Sequence, residues 1–137
     1  MKELEYPFDA AYIIKKRKSL KKALLADGTS RIRKKIAVFG GSTTSDIVKT
    51  LELFLLDAGI EPEFYESEYA QYFQDAMFPD ETLLSFKPDI VFIHTTNRNV
   101  TDWPEMTDTT EQIDEKLHTE INRFTAMWKS IAEKFHC

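Results

Sequence analysis

Cysteine and long apolar runs are almost missing from this sequence. Cys137 is the only cysteine among 137 residues, which excludes an intrachain disulfide and a metal site built from several cysteines. No apolar run approaches the roughly 20 residues that span a bilayer. The acidic N-terminal residues also lack the continuous apolar stretch of a signal peptide. The sequence therefore predicts a cytoplasmic protein without a membrane partner.

Positive charge is in deficit as well, because 18 Lys and Arg residues stand against 23 Asp and Glu residues, for a net charge of −5. This balance disfavours general affinity for nucleic-acid phosphates, so no nucleic-acid partner is expected. Ten of the 18 positive charges lie between Lys15 and Lys35. Apolar residues recur there at helical spacing, which predicts a basic amphipathic helix from about Asp9 to Asp27. Its basic face is either a solvated surface or a docking surface for an acidic partner.

The rest of the chain alternates between short apolar runs and helical patterns. We predict strands at Lys35–Phe39, Glu63–Glu66 and Ile90–Ile93. Helical patterns separate and follow them, and the last runs from Ile113 to Phe135. This alternation predicts a three-layer α/β/α fold with a short parallel sheet in the order 2-1-3.

Two segments are predicted along the chain. Residues 1–33 are interpreted as the basic helix and a linker, and residues 34–137 as the α/β domain. The final helix leads to no further strand, whereas such a helix normally returns the chain to the next parallel strand. We therefore expect a truncated sheet and an N-terminal fragment of a longer protein.

Polar loops follow the three predicted strands at the point where each strand ends. They are Gly40–Thr44, Ser67–Tyr69 and His94–Asn99. Because ligands bind outside the carboxyl ends of strands in open α/β sheets, these loops are predicted to form one crevice. The predicted ligand-binding residues are Gly40, Gly41, Thr43, Thr44, Ser67, Glu68, Thr95, Thr96 and Arg98. His94 is the local candidate for a base, and no spacing of ligands indicates a metal site.

Three interpretations of Gly40–Thr44 remain open on spacing alone. An anion would bind the backbone N–H groups at the start of the next helix, although the Walker Lys and the full Gly-x-Gly-x-x-Gly spacing are absent. Alternatively, Ser42 is a nucleophile beside backbone donors that stabilise an oxyanion. The third interpretation is a tight turn followed by a helix cap, with no chemistry.

Two blocks resemble the SGNH (GDSL-type) hydrolases. Ile36–Thr44 is similar to the first block of that family, and Pro88–Asn97 is similar to the strand and loop that carry its Asn. The resemblance implies that Ser42 is the nucleophile and that its backbone N–H is an oxyanion donor. It also implies that the Asn97 side chain is the second oxyanion donor, so Ser42 and Asn97 are expected to meet at the sheet edge.

The sequence departs from the SGNH pattern at several positions. Gly41 stands where the family usually has Asp, Thr95 where it has Gly, and Arg98 where it has Asp. The late Asp-x-x-His pair that completes the catalytic triad has no match. We therefore expect this chain alone not to hydrolyse esters at a useful rate.

Gly40–Thr44, Glu66–Tyr69 and His94–Asn99 together resemble the N-terminal domain of FkbH-like proteins, which are of the haloacid-dehalogenase type, subfamily IIIC. The resemblance covers about Lys34 to Cys137 and implies a flavodoxin-like or SGNH-like fold. It also implies a downstream phosphatase-like domain, in which any Mg²⁺ would bind, and no cofactor in this chain. FkbH-like proteins are associated with the transfer of glycerate-derived acyl units to acyl carrier proteins in polyketide and polysaccharide biosynthesis.

The resemblance favours an accessory domain that recognises an acyl group or an acyl carrier protein. One alternative is an acyl hydrolase or acyltransferase that uses Ser42 and is completed by downstream residues. The other is a structural module or a homo-oligomer, because a short sheet has edges that can pair.

Overall fold

Three parallel strands form the centre of the fold in the computed structural model, which describes residues 1–136. The strands are β1 (Ile32–Gly40), β2 (Ile60–Glu66) and β3 (Ile90–His94). Their order is β2-β1-β3, and both pairings are parallel. The predicted sheet is thus confirmed.

The strands differ from the predicted ones mainly at their first residues. β1 begins at Ile32 instead of Lys35, and β2 begins at Ile60, so that Pro62 lies inside it. Proline lacks an N–H group and is tolerated in a sheet on an outer strand. β2 is such an outer strand, which is why it extends past Pro62 to Ile60 instead of beginning at the predicted Glu63.

Within residues 1–136, five α-helices flank the sheet. They are α1 (Ala10–Ala26), α2 (Ser45–Asp57), α3 (Tyr72–Met77), α4 (Glu81–Phe86) and α5 (Thr110–Phe135). Side chains cap three of these helices at their N-termini. Asp9 accepts from Tyr12 N–H, Asp80 accepts from Leu83 N–H, and Thr109 forms a capping box with Gln112. Such caps satisfy backbone donors that a helix leaves unpaired, which explains where these helices begin.

The helices pack against the sheet and against one another through two apolar clusters. Ala37 and Phe39 of β1 pack with α3 and α5 through a cluster that includes Met127, Ile131 and Phe135. Because successive strand residues point to opposite faces, the side chains at positions 36 and 38 face the other side. The second cluster joins α1 to α2; its buried members are Leu4, Ile13, Leu20, Leu24, Leu53 and Leu56. The helices α1 and α2 therefore form one packed pair.

The segment predicted as a linker is tied to both helices of that pair. The guanidinium of Arg31 donates to the carbonyl of Leu24 at 2.7 Å and to the carbonyl of Leu56 at 2.8 Å, and it pairs with Asp27. These bonds satisfy carbonyls at the ends of α1 and α2. Cys137, the last residue of the predicted α/β domain, lies outside the described residues. Within residues 1–136, none of the helices is both long and apolar enough to cross a membrane.

Candidate functional site

The loops after the three strands meet at the carboxyl edge of the sheet. Gly40 is in register with His94, and the N–H of Gly41 donates to the carbonyl of His94 at 2.8 Å. On the other side of β1, the N–H of Ser67 donates to the carbonyl of Val38 at 2.9 Å. The sheet thus continues into its loops, and the three predicted segments are fixed against one another by backbone hydrogen bonds.

Ser42 and His94 lie together at this edge. The Oγ of Ser42 is 3.5 Å from Nδ1 of His94, and both residues are half-buried. A working pair of nucleophile and base has a distance of about 2.6–3.2 Å, although apo sites are often looser. Within residues 1–136, no carboxylate hydrogen-bonds to the His94 ring. The arrangement therefore contains two members of a possible triad and lacks the third, the group that orients the imidazole.

A cleft of about 300 Å³ lies on the β2 side of Ser42. It is lined by Ser42, Thr43, Thr44, Ser45, Glu66, Ser67, Glu68 and Tyr69. Two hydroxyls in its lining already donate hydrogen bonds to carboxylates. Thr44 Oγ1 donates to Glu66 at 2.9 Å, and Ser67 Oγ donates to Asp75 at 2.5 Å. Among the predicted residues that line this cleft, the nucleophile candidate Ser42 and the binding residues Thr43 and Glu68 make no such hydroxyl-to-carboxylate bond.

The last residue of β1, Gly40, and the first residue of the following turn, Gly41, leave room only for glycine. A Cβ on Gly40 would lie 2.4 Å from the side chain of Thr44, and one on Gly41 would lie 2.3 Å from the side chain of Asn99. Both distances are far below van der Waals contact. The two glycines that the sequence analysis singled out therefore serve close packing of the loops.

Asn99, which sequence reasoning did not select, is the asparagine that contacts this turn. Its Nδ2 donates to the carbonyl of Gly41 at 3.0 Å, and its Oδ1 accepts from the N–H of Thr96 at 2.8 Å. Asn97, the predicted oxyanion donor, is exposed, and its side chain has no hydrogen bond to any residue between 1 and 136. Its role stays a prediction. The signal for Asn99 was its position three residues after Thr96, where it completes a capping box.

The other predicted residues of the third loop are distributed around that capping box. Thr96 Oγ1 accepts from the N–H of Arg98 at 3.3 Å, and both side chains are exposed. Thr95 is half-buried next to His94. The side chains of Thr96 and Arg98 thus face solvent, whereas the backbone N–H of Thr96 donates to the Asn99 side chain that bonds Gly41.

An ion pair on α5 between the buried Glu120 and the half-buried Arg123 fixes the third loop. Glu120 accepts hydrogen bonds from Thr101 Oγ1 at 2.5 Å, from the N–H groups of Thr101 and Asp102, and from Arg123 at 2.8 Å. Arg123 also donates to the carbonyl of Asn99 at 2.6 Å and to the hydroxyl of Tyr72 at 3.1 Å. This network joins α5, α3 and the loop that carries Asn99.

The hydrogen bonds of this network decide the charge of Glu120. Burial by itself raises the pKa of that carboxyl, but the donors from Arg123 and Thr101 outweigh burial and lower the pKa to about 2. Glu120 is therefore ionised at neutral pH although it is only 7% exposed. In the sequence, this ion pair is indicated by a Glu and an Arg that are three residues apart on the face of α5 that packs against the rest of the protein.

A metal site requires several ligand side chains that converge on one point. Among residues 1–136, no three His, Cys, Asp or Glu side chains converge as ligands. Magnesium prefers several oxygen ligands in an octahedral arrangement. Residues 1–136 supply no such donor set.

Comparison with known proteins identifies the fold. No family model and no curated protein matches this chain. A solved structure matches it with a TM-score of 0.61 and 20% sequence identity: the N-terminal part of the protein BF1531 from Bacteroides fragilis, which contains a phosphatase domain and is complexed with Mg. The match covers 81% of this chain but only 29% of that one. The chain therefore shares its fold with less than a third of a phosphatase-domain protein.

Proposed function

We propose that this chain is an accessory domain of an FkbH-like protein and that it recognises an acyl group at the carboxyl edge of its sheet. The supporting observation is the cleft beside Ser42, where a free hydroxyl and the ring of His94 lie 3.5 Å apart. The likeness to the N-terminal part of a phosphatase-domain protein is compatible with an accessory role. The phosphoryl chemistry and its Mg²⁺ would then belong to a downstream domain.

The charges of the cleft favour a neutral ligand over a phosphate. Glu66 and Glu68 line it. These carboxylates repel an anion and oppose the attraction of the helix N-terminus. An acyl carbonyl can accept from Ser42, and hydroxyl groups on the acyl chain can donate to Glu68. A hydroxylated acyl thioester therefore fits the cleft better than a phosphate ester.

The binding test uses glyceryl N-acetylcysteamine thioester, a small mimic of a carrier-bound acyl unit. We expect amide chemical-shift changes concentrated at residues 42–45 and 66–69. Ser42→Ala should weaken binding about tenfold, the effect of one good hydrogen bond. Ser85→Ala, an exposed serine on α4, is the matched control and should bind like the unmodified chain. Equal binding by the Ser42 variant, or no binding at all, would contradict the proposal.

The basic face of α1 is the proposed contact with an acidic carrier protein. Lys15, Lys18 and Lys22 are exposed and fall within an arc of about 60° at roughly 100° per residue. No carboxylate of residues 1–136 pairs with them, whereas the neighbouring Arg17 and Lys21 pair with Asp46 and Glu52 of α2. Three unpaired ammonium groups on one face attract an acidic surface.

Charge reversal tests this contact. Changing Lys15, Lys18 and Lys22 to Glu should slow association with a cognate acyl carrier protein, most strongly at low salt, because steering by charge is screened by ions. The matched control reverses Lys2, Lys87 and Lys129, which are also exposed but lie elsewhere. If both triple variants associate at the same rate, α1 is only a solvated helix.

A second candidate function is acyl transfer to Ser42, and the distance between Ser42 and His94 is the observation that favours it. Without an orienting carboxylate we expect no turnover of p-nitrophenyl acetate above background, in the chain or in its Ser42→Ala variant. Turnover that disappears in the variant would overturn the accessory role and establish a hydrolase.

A further inference from the structure

The peptide bond between Gly41 and Ser42 is held from the β3 side of the site. Its carbonyl oxygen, which belongs to Gly41, accepts a hydrogen bond from Nδ2 of Asn99 at 3.0 Å. The N–H of Gly41 donates to the carbonyl of His94 at 2.8 Å. These two hydrogen bonds, both to the segment that ends β3 and follows it, leave the peptide plane little freedom to rotate.

The orientation of this plane decides where the N–H of Ser42 points. A peptide bond is planar and trans, so its N–H and its carbonyl point in opposite directions. Because the carbonyl of Gly41 points at Asn99, the N–H of Ser42 points away from the loop after β3. The cleft lies on the other side of Ser42, beside β2. No backbone carbonyl between residues 1 and 136 accepts from this N–H, which leaves it as a donor for a ligand.

Asn99 is fixed before any ligand arrives. Its Oδ1 accepts from the N–H of Thr96 at 2.8 Å, which sets the rotation of the amide so that Nδ2 is the atom turned toward Gly41. Its own carbonyl accepts from the guanidinium of Arg123 at 2.6 Å. The side chain and the backbone of Asn99 are thus both held, so its amide supports the Gly41 carbonyl in one direction.

Close packing between Gly41 and Asn99 shows that the contact is built into the turn. A Cβ on Gly41 would lie 2.3 Å from Nδ2 of Asn99, a distance at which one of the two groups would have to move. Glycine at position 41 therefore allows the amide of Asn99 to reach the backbone that carries the N–H of Ser42.

We propose that Asn99 is a positioning residue that directs the backbone N–H of Ser42 into the cleft, where this N–H donates to the carbonyl oxygen of the acyl ligand. The inference rests on the proposed recognition of an acyl group and names a second donor for it besides the Ser42 hydroxyl. Asn99 does not touch the ligand and acts through the peptide of Gly41. A donor that is oriented in advance binds a carbonyl without a cost for ordering.

Two substitutions of Asn99 test the positioning. Asn99→Asp keeps an acceptor for the N–H of Thr96 but loses the donor to Gly41, and Asn99→Ser is uncharged and too short to reach Gly41. The N–H residual dipolar coupling of Ser42, measured in a weakly aligned sample, reports the direction of that bond. We expect this coupling to match the structure in the unmodified chain and to fall toward zero in both variants. The couplings of Ile36–Phe39 in β1 should stay unchanged, which shows that the variants fold.

Binding of glyceryl N-acetylcysteamine thioester is the second readout. Both Asn99 variants should bind it about tenfold more weakly than the unmodified chain, the effect of one hydrogen bond. Asn122→Asp and Asn122→Ser make the same chemical changes at an exposed residue of α5. These controls should change neither the binding nor the Ser42 coupling. A Ser42 coupling that stays the same in both Asn99 variants would overturn the proposal.

The two readouts separate this proposal from the proposed function. If the unmodified chain does not bind the thioester, acyl recognition fails, and the coupling alone decides whether Asn99 orients the N–H of Ser42. If the Asn99 variants alter the coupling but bind the thioester as tightly as the unmodified chain does, the N–H of Ser42 is not a donor to the ligand and the proposal is wrong.

Discussion

The two halves of the candidate site, one beside β2 and one beside β3, are built by different means. On the β2 side, two hydroxyls close to the cleft each donate to one carboxylate, Thr44 to Glu66 and Ser67 to Asp75. On the β3 side, Asn99 is fixed to Gly41 and, through its carbonyl, to Arg123 of α5. The first half is local to the sheet edge, and the second depends on a helix far along the chain.

The difference follows from how far along the chain the next long-range packing element of each loop lies. The loop after β2 is short, because α3 begins at Tyr72, and the bonds from Thr44 to Glu66 and from Ser67 to Asp75 suffice to order it. The loop after β3 is longer, because α5 begins only at Thr110. Its backbone polar groups need partners, and Glu120 and Arg123 supply them. We therefore expect substitutions behind the β3 half to cost more stability than substitutions in the β2 half.

Arg123→Ala should have the largest effect. It removes the donors to Asn99, Tyr72 and Glu120 and leaves a buried carboxylate with fewer partners. Breaking a buried ion pair of this kind costs about 3 kcal/mol. Urea unfolding would measure it, with Arg98→Ala as the control because Arg98 is exposed in the same loop. A loss no greater than that of the control would show that the network does not order the loop.

The acid sensitivity of the fold should come next in size. Because the pKa of Glu120 is lowered from 4.5 to about 2 in the folded chain, its stabilisation is fully present above pH 4.5 and is lost as the pH falls toward 2. Between pH 5 and pH 2, the free energy of unfolding should therefore fall by about 2 kcal/mol more for the unmodified chain than for Glu120→Gln.

The measurement is a series of urea unfolding curves across that pH range. Glu115→Gln, an exposed glutamate on the same helix, is the matched control, and its stability should run parallel to that of the unmodified chain. If the free energy of unfolding of Glu120→Gln changes with pH in the same way as that of the unmodified chain, Arg123 and Thr101 do not hold the Glu120 carboxyl ionised.

The sequence predicts the parts of this molecule that depend on near neighbours. Runs such as Ile36–Phe39 and Ile90–Ile93 identify buried strands, and their order follows from alternation with helices. The polar loops at the strand ends are identified for the same reason. The positions of the helix and strand cores, and the edge at which Ser42 and His94 meet, were thus accessible from the sequence.

The remaining features depend on residues that are far apart in the sequence. Asn99 contacts Gly41 across 58 positions, and Arg123 contacts Tyr72 across 51. No local pattern specifies such partners. The periodicity of α5 likewise predicts an apolar face but not how much of it the sheet covers, so the exposure of Leu117 and Trp128 appears only in the structure.

Thr44→Val should give the smallest effect of the three and tests the β2 half. Thr44 is buried and donates to Glu66, and valine keeps the shape of the side chain while removing the hydroxyl. Glu66 is exposed and can still reach water, so we expect a loss of about 1 kcal/mol, the usual net value of one hydrogen bond. Thr43→Val is the matched control, since Thr43 is exposed beside it and should change the free energy of unfolding by less than about 0.5 kcal/mol. Urea unfolding of both variants makes the comparison. A loss at Thr44 as large as that of Arg123→Ala would mean that both halves of the site depend equally on buried polar contacts.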